Sequence, residues 1–137
     1  MASKRPGNVS LLGRSEMRMP ATPGDAKLET FPNPTPKGRY TVRFETSEFT
    51  SLCPVTGQPD FGTLQIEYRP AKLCVETKSL KFYLSSYRSQ NAFCESVTNR
   101  ILADFVAACS PSWAQITGVF ASRGGIRLTV TAEHGKK

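Results

Sequence analysis

The segment Cys53-Pro54-Val55-Thr56-Gly57-Gln58-Pro59-Asp60-Phe61-Gly62 is where the types and spacing of residues most suggest chemistry. It sets a thiol seven residues before a carboxylate, and its prolines and glycines predict a loop rather than a regular element. A cysteine so placed can attack an electrophile as its thiolate while Asp60 handles the proton. A small buried cysteine and a turn aspartate would leave the same spacing, so spacing alone keeps both readings open. In Glu76-Thr77-Lys78-Ser79-Leu80-Lys81-Phe82-Tyr83, the two lysines lie three apart. On a helix they share a face, which suits either phosphate binding or plain solvation. Arg123 beside Gly124-Gly125 poses the same choice. Glu95 suits the first turn of a helix, and Phe93 next to it offers a stacking surface for a flat heterocycle.

A metal centre is not expected. The cysteines at 53, 74, 94 and 109 form no Cys-x-x-Cys pair, and His134 is the only histidine in the chain. No secretory leader is apparent, so free thiols are expected rather than disulfides. A Gly-x-Gly-x-x-Gly fingerprint is absent, which argues against a nicotinamide site of the doubly wound type. Eighteen basic against eleven acidic residues give a net charge of +7, favouring anionic partners without choosing among them. The longest apolar run, Ile101 to Cys109, includes Asp104 and is too short to span a bilayer. A cytoplasmic protein without membrane contact is expected.

The elements that must position these groups follow from periodicity. Residues 1–38 hold six of the ten prolines and four of the ten glycines, and read as a largely mobile arm. Leu28 and Phe31 could anchor its last part, 28–38, on a domain spanning 39–137. Tyr40, Val42 and Phe44, then Leu64, Ile66 and Tyr68, alternate with polar residues as half-buried strands do. Lys78 to Tyr87 reads as a short helix. Phe93, Val97, Ile101 and Phe105 recur every four residues on a longer helix, which Ser110-Pro111-Ser112 ends. Trp113 to Phe120 and Ile126 to Ala132 are the last two strands, joined at Arg123-Gly124-Gly125. The expected class is α+β: a four-stranded antiparallel sheet with two helices on one face, in the order ββααββ. Two open sheet edges predict an obligate oligomer, its sheets closing into a barrel.

Taken together, Phe49 to Gly62, Glu76 to Tyr83 and Phe93-Cys94-Glu95 resemble the NADPH-dependent 7-cyano-7-deazaguanine reductases of tRNA queuosine biosynthesis. The resemblance runs from about Leu28 to Ala132, and the Cys53-to-Asp60 loop is its most specific part. It implies the tunnelling fold and a homo-oligomer of stacked pentameric rings with active sites between subunits. It implies no direct nucleic-acid contact. The implied chemistry is reduction of the nitrile of 7-cyano-7-deazaguanine to an aminomethyl group through a Cys53 thioimide, with Asp60 supplying protons. Glu95 would accept from the N–H groups of the base, and Phe93, Cys94, Val75, Glu76 and Thr77 would line it. Thr77, Lys78, Lys81, Arg123 and Gly124 would hold NADPH.

Two features depart from the usual pattern or bear on the alternatives. Cys94 stands where these reductases carry histidine, replacing a versatile donor and acceptor by a weak donor. The related archaeosine-forming enzymes capture the same nitrile but add ammonia, and the two lysines favour reduction over that reading. A basic RNA-binding module would need aromatic and basic residues interleaved on one face, and the sequence does not display them.

Overall fold

The computed structural model describes residues 19–137. Strands β1 (Thr30–Pro32), β2 (Val42–Leu52), β3 (Pro59–Arg69) and β4 (Leu73–Val75) precede helices α1 (Thr77–Ser85) and α2 (Cys94–Cys109). Strands β5 (Trp113–Arg123) and β6 (Ile126–Gly135) complete the chain. The main sheet is antiparallel in the order β2-β3-β5-β6, and β1 pairs with β4 in a separate two-stranded ribbon. Apart from that ribbon, this is the expected ββααββ order.

Alternation decides which face is buried. Leu64, Ile66 and Tyr68 of β3, with Ala114, Ile116 and Phe120 of β5, turn their side chains toward the helices. They meet Val97, Ile101, Phe105 and Cys109, a stripe at four-residue spacing along α2. The Phe105 ring stands edge-on to Tyr68 with centroids 4.8 Å apart, a favoured aromatic geometry. Gly118 allows α2 to approach closely, because a Cβ there would lie 2.8 Å from the Phe120 ring and 3.2 Å from the Thr98 hydroxyl. Helix α2 stops at Ser110, whose left-handed φ of 45° breaks the ladder before Pro111. The opposite face of the sheet is polar, with Glu67 paired to both Arg43 and Lys137.

The boundaries differ from the sequence expectation in instructive ways. The first strand continues to Leu52, because a bulge between Thr46 and Phe49 resets the register. Thr46-Ser47-Glu48 hides that continuation by breaking the alternation. Four of the ten residues of the expected Cys53–Gly62 loop are strand, since β3 begins at Pro59 and Asp60 pairs with Ser51. The expected short helix reaching Tyr87 is α-helical only to Ser85 and finishes in a 3-10 turn over Ser86–Ser89.

Of the expected arm, residues 1–18 lie outside the described residues. Residues 19–38 lie on the domain: Pro23 is buried, Ala26 and Leu28 pack on the core, and β1 pairs with β4. Its contact with α1 is made by hydrogen bonds. Ser79 Oγ accepts from Glu29 N–H at 2.9 Å, and Glu29 O accepts from Glu76 N–H at 2.8 Å.

Candidate active site

Two sets of interactions bring the reactive groups to one end of the sheet. Leu52 N–H donates to Gln90 O at 2.9 Å, and Ala92 N–H donates to Leu52 O at 3.0 Å. This short parallel bridge brings Phe93-Cys94-Glu95, at the start of α2, alongside the end of β2. Cys53 then opens the β2–β3 turn, its N–H donating to Gln58 O and its O accepting from Gly57 N–H, both at 2.8 Å. Gly57 takes a φ of 71°, a conformation that costs glycine little. The tight return puts Asp60 across from Ser51, two residues before Cys53.

The two thiols near this end differ in character. The Cys53 thiol is held below its ordinary range, chiefly by a hydrogen bond from the Thr56 hydroxyl and then by the N–H groups of Thr56 and Val55. The Asp60 charge opposes this weakly. Thr56 Oγ1 also accepts from Gln58 N–H at 3.3 Å, which leaves its hydroxyl hydrogen free for the sulfur. Burial pushes the Cys94 thiol up to about 11, and the charges of Asp60 and Glu95 act in the same direction. Of the two thiols Cys53 is therefore the more readily ionised and the better candidate nucleophile. Deeper in the fold, burial pushes Cys109 up to about 12, and it sits in the core.

Asp60 is mostly buried, with its side chain 14% exposed, and Arg123 pairs with it at 2.8 Å. The same guanidinium donates to Pro59 O at 2.7 Å. The turn that carries Arg123 has positive φ at Gly124 (57°) and Gly125 (78°), as a two-residue hairpin connection requires. Phe93 is 58% exposed, and Glu95 is exposed in the first turn of α2. Cys53, Asp60, Phe93, Cys94, Glu95, Arg123 and Gly124 thus gather at one end of the sheet.

The remaining expected site residues lie elsewhere in the chain. Val75 is a core residue whose N–H donates to Tyr68 OH at 2.9 Å. Glu76 caps α1: its two carboxylate oxygens accept from Lys78 N–H and Ser79 N–H, each at 2.7 Å, which holds the carboxyl below its usual range. Thr77 and Lys81 border a groove of about 430 Å³ between α1 and β2, floored by Phe44, Phe49, Leu80 and Leu84. Cys53 and Asp60 do not line it. Lys78 lies over the Phe82 ring at 6.0 Å, and neither Lys78 nor Lys81 forms an ion pair among the described residues. The groove follows β2 from Phe44 to Thr50 and stops short of Cys53.

Two residues at the cysteine end escaped sequence reasoning. Thr56, three residues after Cys53, was readable as a hydroxyl able to turn back on the thiol. Ser51 needed the bulge in β2 to be known before its face could be assigned.

A thiol held below its ordinary range, a part-buried carboxylate and a one-sided antiparallel sheet together suit an enzyme of the α+β class. The model of the QueF-like protein family matches residues 59–137, which include Asp60, both helices and Arg123. A reductase of an Anaeromyxobacter species, named NADPH-dependent 7-cyano-7-deazaguanine reductase, is 53% identical over 119 residues, covering 87% of this chain and 97% of that one. Reductases of the same name from Nitrosococcus oceani and Halorhodospira halophila are 56% and 57% identical. Those matches cover 85% and 78% of this chain, and 89% and 91% of the relatives. Among solved structures, an apo archaeosine synthase of the QueF-like type matches with a TM-score of 0.68 at 25% identity, over 73% of this chain and 98% of that one. The chain belongs to the QueF-like family, that of the NADPH-dependent 7-cyano-7-deazaguanine reductases.

Proposed function

We propose that this protein reduces the nitrile of 7-cyano-7-deazaguanine to 7-aminomethyl-7-deazaguanine with NADPH, as a step of tRNA queuosine biosynthesis. The observation that carries the chemical reading is the Cys53 thiol, held below its ordinary range by Thr56 and set close to Asp60. Among the matched proteins, identities of 52–57% to reductases against 25% to the archaeosine synthase favour reduction over ammonia addition.

A nitrile carbon is a poor hydride acceptor. Addition of Cys53 sulfur makes an S–C bond, and the proton released from the thiol passes through Asp60 to the nitrile nitrogen, giving a thioimide. When bound, each of two NADPH molecules supplies one hydride, so that nitrile, two NADPH and two protons give amine and two NADP⁺. Between the two reductions Cys53 departs as thiolate, leaving an imine, and Asp60 returns protons to the nitrogen. Glu95 accepts from the guanine-like N–H groups, a contact that rejects bases lacking them. Phe93 stacks on the ring. Cys94, neutral and part-buried, contributes shape rather than charge.

Lys78 and Lys81 fit the phosphates of NADPH, because both cations are without carboxylate partners among the described residues. Arg123 joins them from the Gly124 turn on leaving Asp60. Cys53 and Asp60 lie outside the groove that Thr77 and Lys81 border, and this, with the open outer edges of β2 and β6, supports a site shared between subunits. On this reading the Val75-Glu76-Thr77 segment and both lysines of one subunit complete the Cys53 end of its neighbour. The assembly proposed is a homo-oligomer of stacked pentameric rings in the cytoplasm, and among the described residues no helix is long and apolar enough to cross a membrane.

Intact mass tests the first step. Protein mixed with 7-cyano-7-deazaguanine alone gains the mass of the nitrile, and Cys53→Ala does not. An adduct that survives in Cys53→Ala removes Cys53 from the mechanism.

A further inference from the structure

Ser51 is 0% exposed, and its Oγ has no hydrogen-bond partner among the described residues. Buried hydroxyls are nearly always paired, because leaving one unmade forfeits the hydrogen bonds it had in water. Such a hydroxyl is well placed to be paired in a second arrangement of its neighbours. Its surroundings indicate that arrangement. Ser51 stands directly across the β2–β3 ladder from Asp60. Opposed residues project to the same face with Cβ atoms about 4.5–5.5 Å apart, so one rotamer change brings hydroxyl and carboxylate together. Cys53 follows two residues later, where the chain leaves β2 for the turn. The Asp60 carboxylate is drawn the other way, to Arg123 at 2.8 Å.

We infer that Ser51 is a positioning residue: its buried hydroxyl takes the Asp60 carboxylate as that side chain leaves Arg123 to serve the nitrile. The inference rests on the role of Asp60 in the proposed reaction. One carboxylate oxygen accepts from Ser51 and is fixed against the sheet. The other is left to carry the proton between sulfur and nitrogen. An acid held in this way reaches its target without a search over rotamers, and that advantage is felt in turnover rather than in substrate binding.

The test is Ser51→Ala, read by steady-state kinetics, nitrile capture and thermal melting. Expected is a fall in kcat of about tenfold or more, with KM for the nitrile within about twofold, since the lost contact positions a proton donor. The variant should melt no lower than the wild type, because it removes an unpaired buried hydroxyl. A purely structural serine gives the opposite pattern, a lower melting temperature with a proportionate loss of activity, and that result overturns the inference. Unchanged kcat overturns it as well. Ser51→Cys keeps the volume and only a weak donor, so it should fall between wild type and alanine in kcat. Equal rates for all three count against positioning even if Ser51→Ala is poorly soluble. If wild-type protein fails to capture the nitrile on Cys53, the parent reading fails. If it captures and reduces normally while Ser51→Ala matches it, only this inference does.

Discussion

Replacing Thr56 by valine tests what would make Cys53 the nucleophile of the proposed reaction. The hydroxyl of Thr56 is the leading cause of the lowered Cys53 thiol, ahead of the N–H groups of Thr56 and Val55, which the substitution leaves in place. Valine keeps the branched shape and removes only the donor. A hydrogen bond to a charged sulfur in a solvent-accessible turn sits at the weak end of charge-assisted bonds, so the expected loss is about three- to tenfold in rate near neutral pH. The sign is fixed by which form reacts. Stabilising the thiolate extends its population to lower pH, so the variant should react more slowly below the thiol's ordinary range and equally fast well above it. Iodoacetamide alkylation from pH 5 to 10 provides the assay, with peptide mass spectrometry separating Cys53 from Cys94. Thr56→Ser, which retains the hydroxyl, should follow the wild-type curve. Superimposable profiles for wild type and Thr56→Val would refute the reasoning, and so would faster labelling of Cys94 than of Cys53.

Asp60→Asn should retain nitrile capture better than turnover, losing at least about a hundredfold in kcat as a general acid does on losing its proton; adduct mass and NADPH oxidation compare the two. Lys78→Ala and Lys81→Ala should each raise KM for NADPH without lowering the melting temperature, as both side chains lie outside ion pairs. At NADPH concentrations too low for Lys81→Ala to turn over, oligomers co-assembled from Cys53→Ala and Lys81→Ala subunits should regain activity that neither shows alone, whereas a site contained in one chain would show no such rescue. Ser79→Ala loses bonds to Glu29 N–H and Glu76 O and should cost about 1–3 kcal/mol, read as a lower urea midpoint at constant slope.

The sheet and the long helix were legible because their apolar periodicity survives to the residue. Val97, Ile101 and Phe105 are the stripe that α2 buries, and Leu64, Ile66 and Tyr68 are the inner face of β3. What escaped depends on irregularity. The bulge at Thr46–Phe49 shifts β2 by one residue, and without it the alternation could not place Phe49 and Ser51 on the inner face. Strand β4 is three residues long and exists through its pairing with β1, a long-range contact that no local pattern carries. Pro59 looks like loop punctuation before Asp60, yet a proline at the first residue of a strand costs little. The tie of Asp60 to Arg123 joins residues 63 apart in sequence. For Glu76 the chemistry was visible and the local use was not: the residue before Thr77 is the N-cap of α1, and its carboxylate is occupied by the helix's free N–H groups.

The central claim is reduction of a nitrile through Cys53, and its most direct test is stoichiometric. Purified protein, 7-cyano-7-deazaguanine and NADPH should be followed together by absorbance at 340 nm and by mass of the product. The account predicts two NADPH oxidised per nitrile converted to amine, and no oxidation with Cys53→Ala. Conversion of the nitrile without NADPH, or NADPH oxidation that persists in Cys53→Ala, would contradict it.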